Sequence, residues 1–134
     1  MQDHTKLLVW QRARSLTVAI HEATKRIPHA SVPGLRSQIL RAVMSIGTNV
    51  AEGANRDSRA DFARFVTMAI ASCSEVEHHL SVCDDLGLMD RSIAERLERQ
   101  TVELRRMLFG LRRALLDRIA AERRAVARDP GLMH

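Results

Sequence analysis

Apolar residues recur at alternating steps of four and three along four separate stretches of this chain. Such spacing keeps apolar side chains on one face of an α-helix and is typical of packed helical seams. We expect helices at about 6–27, 35–54, 58–86 and 92–127, with residues 129–134 as a C-terminal tail. Short connections between amphipathic helices favour an antiparallel up-down four-helix bundle, here with a long fourth helix. The predicted fold class is therefore all-α, and residues 1–128 form one domain.

Each stretch predicts one seam of buried side chains. In chain order, the seam residues are Val9, Ala13, Leu16, Ile20, Ala23 and Ile27; Leu35, Ile39, Ala42, Ile46 and Val50; Phe62, Val66, Ala69, Cys73, Val76, Leu80 and Cys83; and Leu97, Leu104, Leu108, Leu111, Leu115 and Ile119.

Caps and breakers set the expected helix ends. Pro28 follows the first helix, and a proline disfavours helical backbone in the residue before it. Ser58 predicts an N-terminal cap for the third helix, and Gly87 predicts its end. Ser92 with Glu95 has the spacing of a capping box, which predicts that the fourth helix begins there.

Composition agrees with a helical protein. The 134 residues are 46% hydrophobic and only 3% aromatic, with no tyrosine, and Ala, Leu, Arg and Glu are frequent. No stretch approaches the roughly 20 apolar residues of a membrane helix. Arg12 and Arg14 interrupt the first apolar run, so we expect no secretory signal. Cys73 and Cys83 lie about 15 Å apart on one predicted helix, too far for a disulfide, which favours free thiols in a reducing cytoplasm.

The charge is unevenly distributed along the chain. The formal net charge is +5, and from Arg91 onward eleven arginines stand against six acids. The preceding stretch from Ser58 to Asp90 holds six acids and two arginines. This asymmetry favours either a face that binds polyanions or a complementary contact between the two segments.

A set of motifs runs from Leu7 to Leu88, over about three fifths of the chain. These motifs are Val9-Trp10-Gln11 with Ala13; Gly34-Leu35 with Ser37-Gln38-Ile39; Arg41-Ala42; Ser45-Ile46 followed by Asn49-Val50-Ala51-Glu52-Gly53; and Arg56, Phe62, Arg64-Phe65, Ala69, Ser72, Glu75, Glu77, Leu80 and Leu86-Gly87. The pattern resembles the bacterial four-helix-bundle family first noticed in intervening sequences of 23S rRNA genes. In this chain Gly47 stands where that family usually has proline, and the arginine-rich C-terminal segment follows no firm family pattern.

The resemblance implies a small cytosolic protein that assembles as a homopentamer and has no established catalytic activity. The chain is also similar to the accessory variability proteins of diversity-generating retroelements. Those proteins are basic pentamers that associate with nucleic acid and a reverse transcriptase.

A polar line runs beside the apolar seam of the second helix. Its steps of three and four keep six residues on one face, namely Gln38, Arg41, Ser45, Asn49, Glu52 and Arg56. Ser45 and Asn49 are poor choices for a free helical surface, which favours a role in fixing which helices or subunits meet. The alternative is a solvated face with a Glu52–Arg56 pair along the helix.

No pattern for catalysis or metal binding is complete. Glu75 and His78 form one Glu-x-x-His step, but a di-iron bundle needs a second copy and two further Glu residues. His21-Glu22 begins a zinc motif that Lys25 cannot complete. No phosphate-binding loop, nucleophile elbow or dinucleotide fingerprint occurs. We therefore predict no catalytic residues, no metal and no cofactor.

The fourth helix carries the strongest functional signal. Arg99, Arg106 and Arg113 are seven residues apart and form a nearly linear stripe. The full predicted set of nucleic-acid contacts is Arg99, Arg105, Arg106, Arg112, Arg113, Arg123 and Arg124. The last turns, 120–128, are expected to extend past the other helices, as a frayed end, a basic arm or an oligomer contact.

Two functions follow from these features. In the first, a non-enzymatic oligomer binds RNA or DNA through arginines that contact phosphates, with strong salt dependence. With so few aromatic residues, sequence-specific reading of single strands is disfavoured. In the second, the bundle is a protein–protein scaffold or accessory subunit that acts through the polar line of the second helix. A membrane partner is disfavoured, because no helix combines a basic face with exposed large aromatic residues.

Overall fold

Four α-helices make up most of the chain, as the apolar spacing predicts. The computed structural model describes residues 3–30, 32–129 and 131. A single 3₁₀ turn at His4–Lys6 precedes the helices, which are α1, Leu8–Thr24; α2, Leu35–Ala54; α3, Arg59–Asp85; and α4, Arg91–Arg128. No strand occurs in these described residues, so the all-α class is confirmed.

The helices form a bundle in which each one packs against two neighbours. α1 packs against α2 and α4, and α3 packs against the same two helices. Among the described residues no Cα atoms of the diagonal pairs α1–α3 and α2–α4 lie within 8 Å of each other, so these helices meet only through side chains in the core. Cross-helix contacts show that α2 and α3 are antiparallel: Ser45 meets Ser72, whereas the later residue Gly53 meets the earlier Phe65.

The predicted seams form the core. All the seam residues are buried except Ala23, Leu111 and Ile119, which are half-buried. Two buried threonines, Thr24 and Thr101, were not among the predicted core residues. Each hydroxyl donates to the carbonyl oxygen four residues earlier, at 2.8 and 2.7 Å, which satisfies it without a partner helix.

The helix ends agree with the sequence at α3 but not everywhere. The Ser58 hydroxyl accepts a hydrogen bond from the Asp61 backbone N–H, and Gly87, at φ +66°, follows the end of α3. α1 ends at Thr24 rather than 27, because the chain tightens into a bond from the Ile27 N–H to the Thr24 carbonyl just before Pro28.

The predicted capping box of α4 is wrong. Ser92 lies inside the first turn, and the N-cap is Asp90, whose side chain makes no capping hydrogen bond. The Asp90 carbonyl instead accepts from the N–H groups of Ile93 and Ala94. The helix thus begins one residue earlier than expected, at Arg91. α2 is continuous through Gly47.

α4 is longer than the bundle that it joins. Its 38 residues span about 57 Å, against about 40 Å for the 27 residues of α3. Leu115 is its last buried residue, and we call Leu116–Arg128 the α4 arm. Arg59, the first residue of α3, forms an ion pair with Glu122 of the arm. The six helical residues after Glu122 therefore extend past the start of α3.

Two further points complete the fold. Of the predicted tail at 129–134, residues 130 and 132–134 lie outside the described residues. Within the described part of the chain, no helix combines the length and apolar character that crossing a membrane requires.

Candidate nucleic-acid interface

The stripe of arginines lies on the outward face of α4. Arg99, Arg106 and Arg113 are all exposed, whereas Leu104 and Leu108 of the seam point into the core. None of the three forms an ion pair within residues 3–30 and 32–129. Their guanidinium groups are therefore open to solvent and to an anionic ligand.

Arg105 has a different environment from the stripe. It is half-buried between α3 and α4, with Nε donating to Glu77 Oε2 at 2.7 Å and Nη2 donating to Oε1 at 3.3 Å. The hydrogen bond from Glu77 raises the pKa of Arg105 further above its ordinary value. Because a carboxylate already occupies this guanidinium fork, Arg105 links α3 to α4 and is less available to an anionic ligand than the exposed arginines are.

Arg112 also turns toward α3. Its Nη1 donates to Thr67 Oγ1 at 3.4 Å, and its guanidinium carbon lies 4.9 Å from the centre of the Phe109 ring. Such a position is typical of a cation–π contact. Arg112 is half-buried, so it presents less of its charge to solvent than Arg113 does.

The α4 arm continues the basic surface beyond the bundle. Arg123 and Arg124 are exposed and make no ion pair in the described residues. The acids nearby are partly engaged, since Glu122 pairs with Arg59, and Asp129 Oδ1 accepts from the Gly131 N–H. The arm thus adds charge to the stripe on the same helix.

Acidic residues reduce the positive charge in the first half of α4. Glu95, Glu98 and Glu103 line a shallow hollow of about 610 Å³ together with Arg99, Val102 and Arg106. These acids form no ion pairs with the arginines in the part of the chain that the structure describes. The basic surface is therefore strongest from Arg106 to the end of the arm.

The polar line of α2 divides into an inner and an outer part. Ser45 Oγ lies 2.6 Å from Ser72 Oγ of α3, and the Ser72 hydroxyl reaches the Met68 carbonyl at 3.1 Å. Asn49 is half-buried, and its amide donates to the Ser45 carbonyl within α2 at 2.9 Å. Ser45 therefore joins two helices of one chain.

The outer members of the line are solvent-facing. Gln38, Arg41 and Glu52 are exposed and have no ion pair among the described residues. The Glu52–Arg56 pair of the alternative interpretation does not form among the described residues. The Arg56 guanidinium lies instead over the Phe65 ring, 4.8 Å from its centre.

Sequence reasoning missed the reason for a glycine at position 53. A Cβ built on Gly53 would lie 2.7 Å from Phe65 Cβ and 2.9 Å from Phe62 Cδ1. Both distances are shorter than real Cβ contacts, so α2 and α3 approach this closely only because residue 53 has no side chain. The glycine of the Ala51-Glu52-Gly53 motif was the sequence feature that could have indicated this close approach of the two helices.

The buried histidine and the two cysteines lie on α3, not on α4 with the arginine stripe. Among the described residues, the Nε2 atom of the buried His79 has no hydrogen-bond partner, and Glu75 Oε1 is 4.0 Å away; desolvation lowers the His79 pKa. No cluster of three metal-ligating side chains occurs in the described residues. Cys73 and Cys83 are buried free thiols, and burial raises the pKa of Cys73 to about 12. Both cysteines pack as core residues.

Comparisons with known proteins agree with the sequence motifs. A family model described as "23S rRNA-intervening sequence protein" matches residues 5–110. A crystal structure of a protein of unknown function from the S23 ribosomal protein family of Bacteroides thetaiotaomicron superposes with a TM-score of 0.72. It is 25% identical in sequence, and the alignment covers 78% of this chain and 97% of that chain. No curated protein matches the chain.

Proposed function

The chain belongs to the 23S rRNA-intervening sequence protein family, and from this premise we propose that it is a non-enzymatic, oligomeric four-helix bundle that binds the phosphate backbone of RNA or DNA through α4. One observation carries the proposal. Five of the seven predicted arginines are exposed and unpaired in the described structure, and all lie on one helix: Arg99, Arg106, Arg113, Arg123 and Arg124.

The chemistry of these side chains suits phosphate. A guanidinium fork matches two phosphate oxygens, and each phosphate that is neutralised releases condensed counterions. Contacts of this kind carry little sequence information. Binding is therefore directed at the backbone and weakens steeply with added salt.

Assembly would enlarge the surface. We propose that the protein forms the homopentamer that its sequence resemblance implies, so that five copies of the arginine stripe contribute to one basic particle. We also propose a cytoplasmic location, with which the free thiols of Cys73 and Cys83 agree. Light scattering measures the assembly directly, and a monomeric mass would contradict it.

A salt titration tests the binding. Fluorescence anisotropy with a labelled RNA, repeated at several salt concentrations, yields the number of phosphates neutralised from the slope of log K against log salt. The double variant Arg106→Gln/Arg113→Gln is expected to reduce the magnitude of that slope by roughly 1.4–1.8 for each protomer that contacts the RNA, at 0.7–0.9 per phosphate.

The matched control is Lys6→Gln/Arg26→Gln. It removes the same charge from exposed positions outside α4 and is expected to leave the slope nearly unchanged. Equal losses for both variants would show that only net charge matters. No binding by the unmodified protein at low salt would refute the proposal.

A second candidate is a protein–protein scaffold or accessory subunit. It is favoured by the exposed and unpaired state of Gln38, Arg41 and Glu52 on the outer part of the polar line. Capture of one stoichiometric protein after nuclease treatment, lost in Arg41→Ala/Glu52→Ala, would favour this function over the first.

A further inference from the structure

Phe109 is exposed within the basic surface. It is 40% exposed, whereas Phe62 and Phe65 are each only 6% exposed in the core. Its neighbours on the same side of α4 are arginines, with Arg106 one turn before it and Arg112 against the ring. The rarity of aromatic residues in this chain therefore does not leave the basic surface without a stacking group.

The residue after this ring is a glycine that packing does not require. A Cβ on Gly110 would meet nothing within 4 Å, and its φ is not in the left-handed region. Glycine weakens the middle of a helix relative to alanine, so fold stability gives no reason for it. Its effect is to leave bare backbone beside the Phe109 ring.

A hollow of about 430 Å³ opens at this bare backbone. It is lined by Phe109, Gly110, Arg112, Arg113, Leu116 and Asp117. An aromatic ring and Leu116 supply an apolar wall, and Arg113 supplies a cation at the rim. The Asp117 carboxylate disfavours a phosphate within the hollow itself but can accept a hydrogen bond from the amino group of a base.

This combination fits one nucleotide of a single strand. A base can stack on an aromatic ring whatever its identity, while arginines hold the flanking phosphates. In a duplex the base faces are already stacked on each other and cannot reach the ring. We propose that Phe109, with the space above Gly110 and the flanking Arg106 and Arg113, is a stacking platform for an unpaired base of single-stranded RNA or DNA.

The platform rests on the proposed function and deepens it by naming the strand that this surface prefers. The test compares the unmodified protein with Phe109→Ala and Phe109→Tyr. Each is titrated with an unstructured single-stranded RNA and with a duplex of the same length. We expect Phe109→Ala to weaken single-strand binding about tenfold and duplex binding less than twofold. Phe109→Tyr keeps the ring and should stay within twofold for both.

A second variant tests the hollow without removing the ring. Gly110→Leu fills the open space with a residue that favours helix, and it should weaken single-strand binding about fivefold while the far-UV circular dichroism remains unchanged. Single-strand binding that is unaffected by this variant would contradict the role of the hollow.

Failure of the platform is distinguishable from failure of the proposed function. If the unmodified protein binds neither RNA, both are refuted. If it binds both and Phe109→Ala weakens them equally or not at all, the platform alone is refuted. A smaller oligomer for Phe109→Ala with unaltered RNA binding would show instead that this ring lies between copies of the chain, which also overturns the platform.

Discussion

The close approach of α2 and α3 at Gly53 leads to a quantitative prediction. In Gly53→Ala the new methyl group would lie 2.7 Å from Phe65 Cβ and 2.9 Å from Phe62 Cδ1. Because Phe65 Cβ is attached directly to the backbone, the helices themselves must move apart. Overpacking of this kind costs about 3 kcal/mol at the upper end of its range. Alanine recovers about 1 kcal/mol of helix propensity. We expect a net loss of about 2 kcal/mol in the free energy of unfolding.

Gly110→Ala is the matched control for this substitution. It makes the same chemical change in the middle of another helix, where the added Cβ meets nothing within 4 Å. Only the propensity gain applies, so the variant should be more stable by up to about 1 kcal/mol. The free energies of unfolding of the two variants should therefore differ by about 3 kcal/mol. One variant should be less stable than the unmodified protein and the other more stable.

Urea unfolding followed by far-UV circular dichroism measures both variants. All titrations need the same protomer concentration, because assembly would add to the apparent stability. If Gly53→Ala were as stable as the unmodified protein, or more stable, the reasoning would be refuted. Such a result would mean that α2 and α3 do not approach closely at this point.

Three further predictions concern stability. Ser58→Ala removes the hydroxyl that accepts from the Asp61 N–H and should cost about 1 kcal/mol in urea unfolding, with an unchanged midpoint as the contradicting result. Glu77→Gln weakens the two-bond link to the half-buried Arg105 and should cost about 1 kcal/mol, and this loss should persist at high salt better than an exposed pair would. The raised pKa of Cys73, about 12 in the folded protein, means that the unfolded thiol ionises first, so stability should fall as pH rises from about 9 toward 12. Replacement of Cys73 by alanine should flatten that part of the profile, and an unchanged slope would contradict the assignment.

The seams were predictable because helical periodicity encodes burial directly. Ile39, Ile46 and Leu97 are fully buried for the reason that the spacing gave. The end of α1 was harder to predict. Ile27 is buried although it lies outside the helix, so its apolar side chain extended the predicted helical seam three residues too far.

The candidate site was predictable only in part, for a different reason. Which side chains meet across two helices depends on the axial offset of one helix relative to the other. The periodicity within one helix does not specify this offset. Arg105 and Arg106 are adjacent in sequence, yet one meets Glu77 on α3 and the other faces solvent. For the same reason the contact between Ser45 of α2 and Ser72 of α3 could not be predicted from the sequence. Whether the exposed arginines bind nucleic acid stays a prediction.

The α4 arm gives this protein a mechanical property. The last turns of α4 share one continuous backbone ladder with the segment held in the core, so the two parts rotate together. From Leu108 to Arg124 the helix measures about 24 Å, so a tilt of about 10° at Leu108 carries the backbone at Arg124 through about 4 Å. Small repacking of the core around Leu104 and Leu108 would therefore change the positions of Arg123 and Arg124. Substitutions of core residues would in this way shift the positive charges of the arm although no charged residue is replaced.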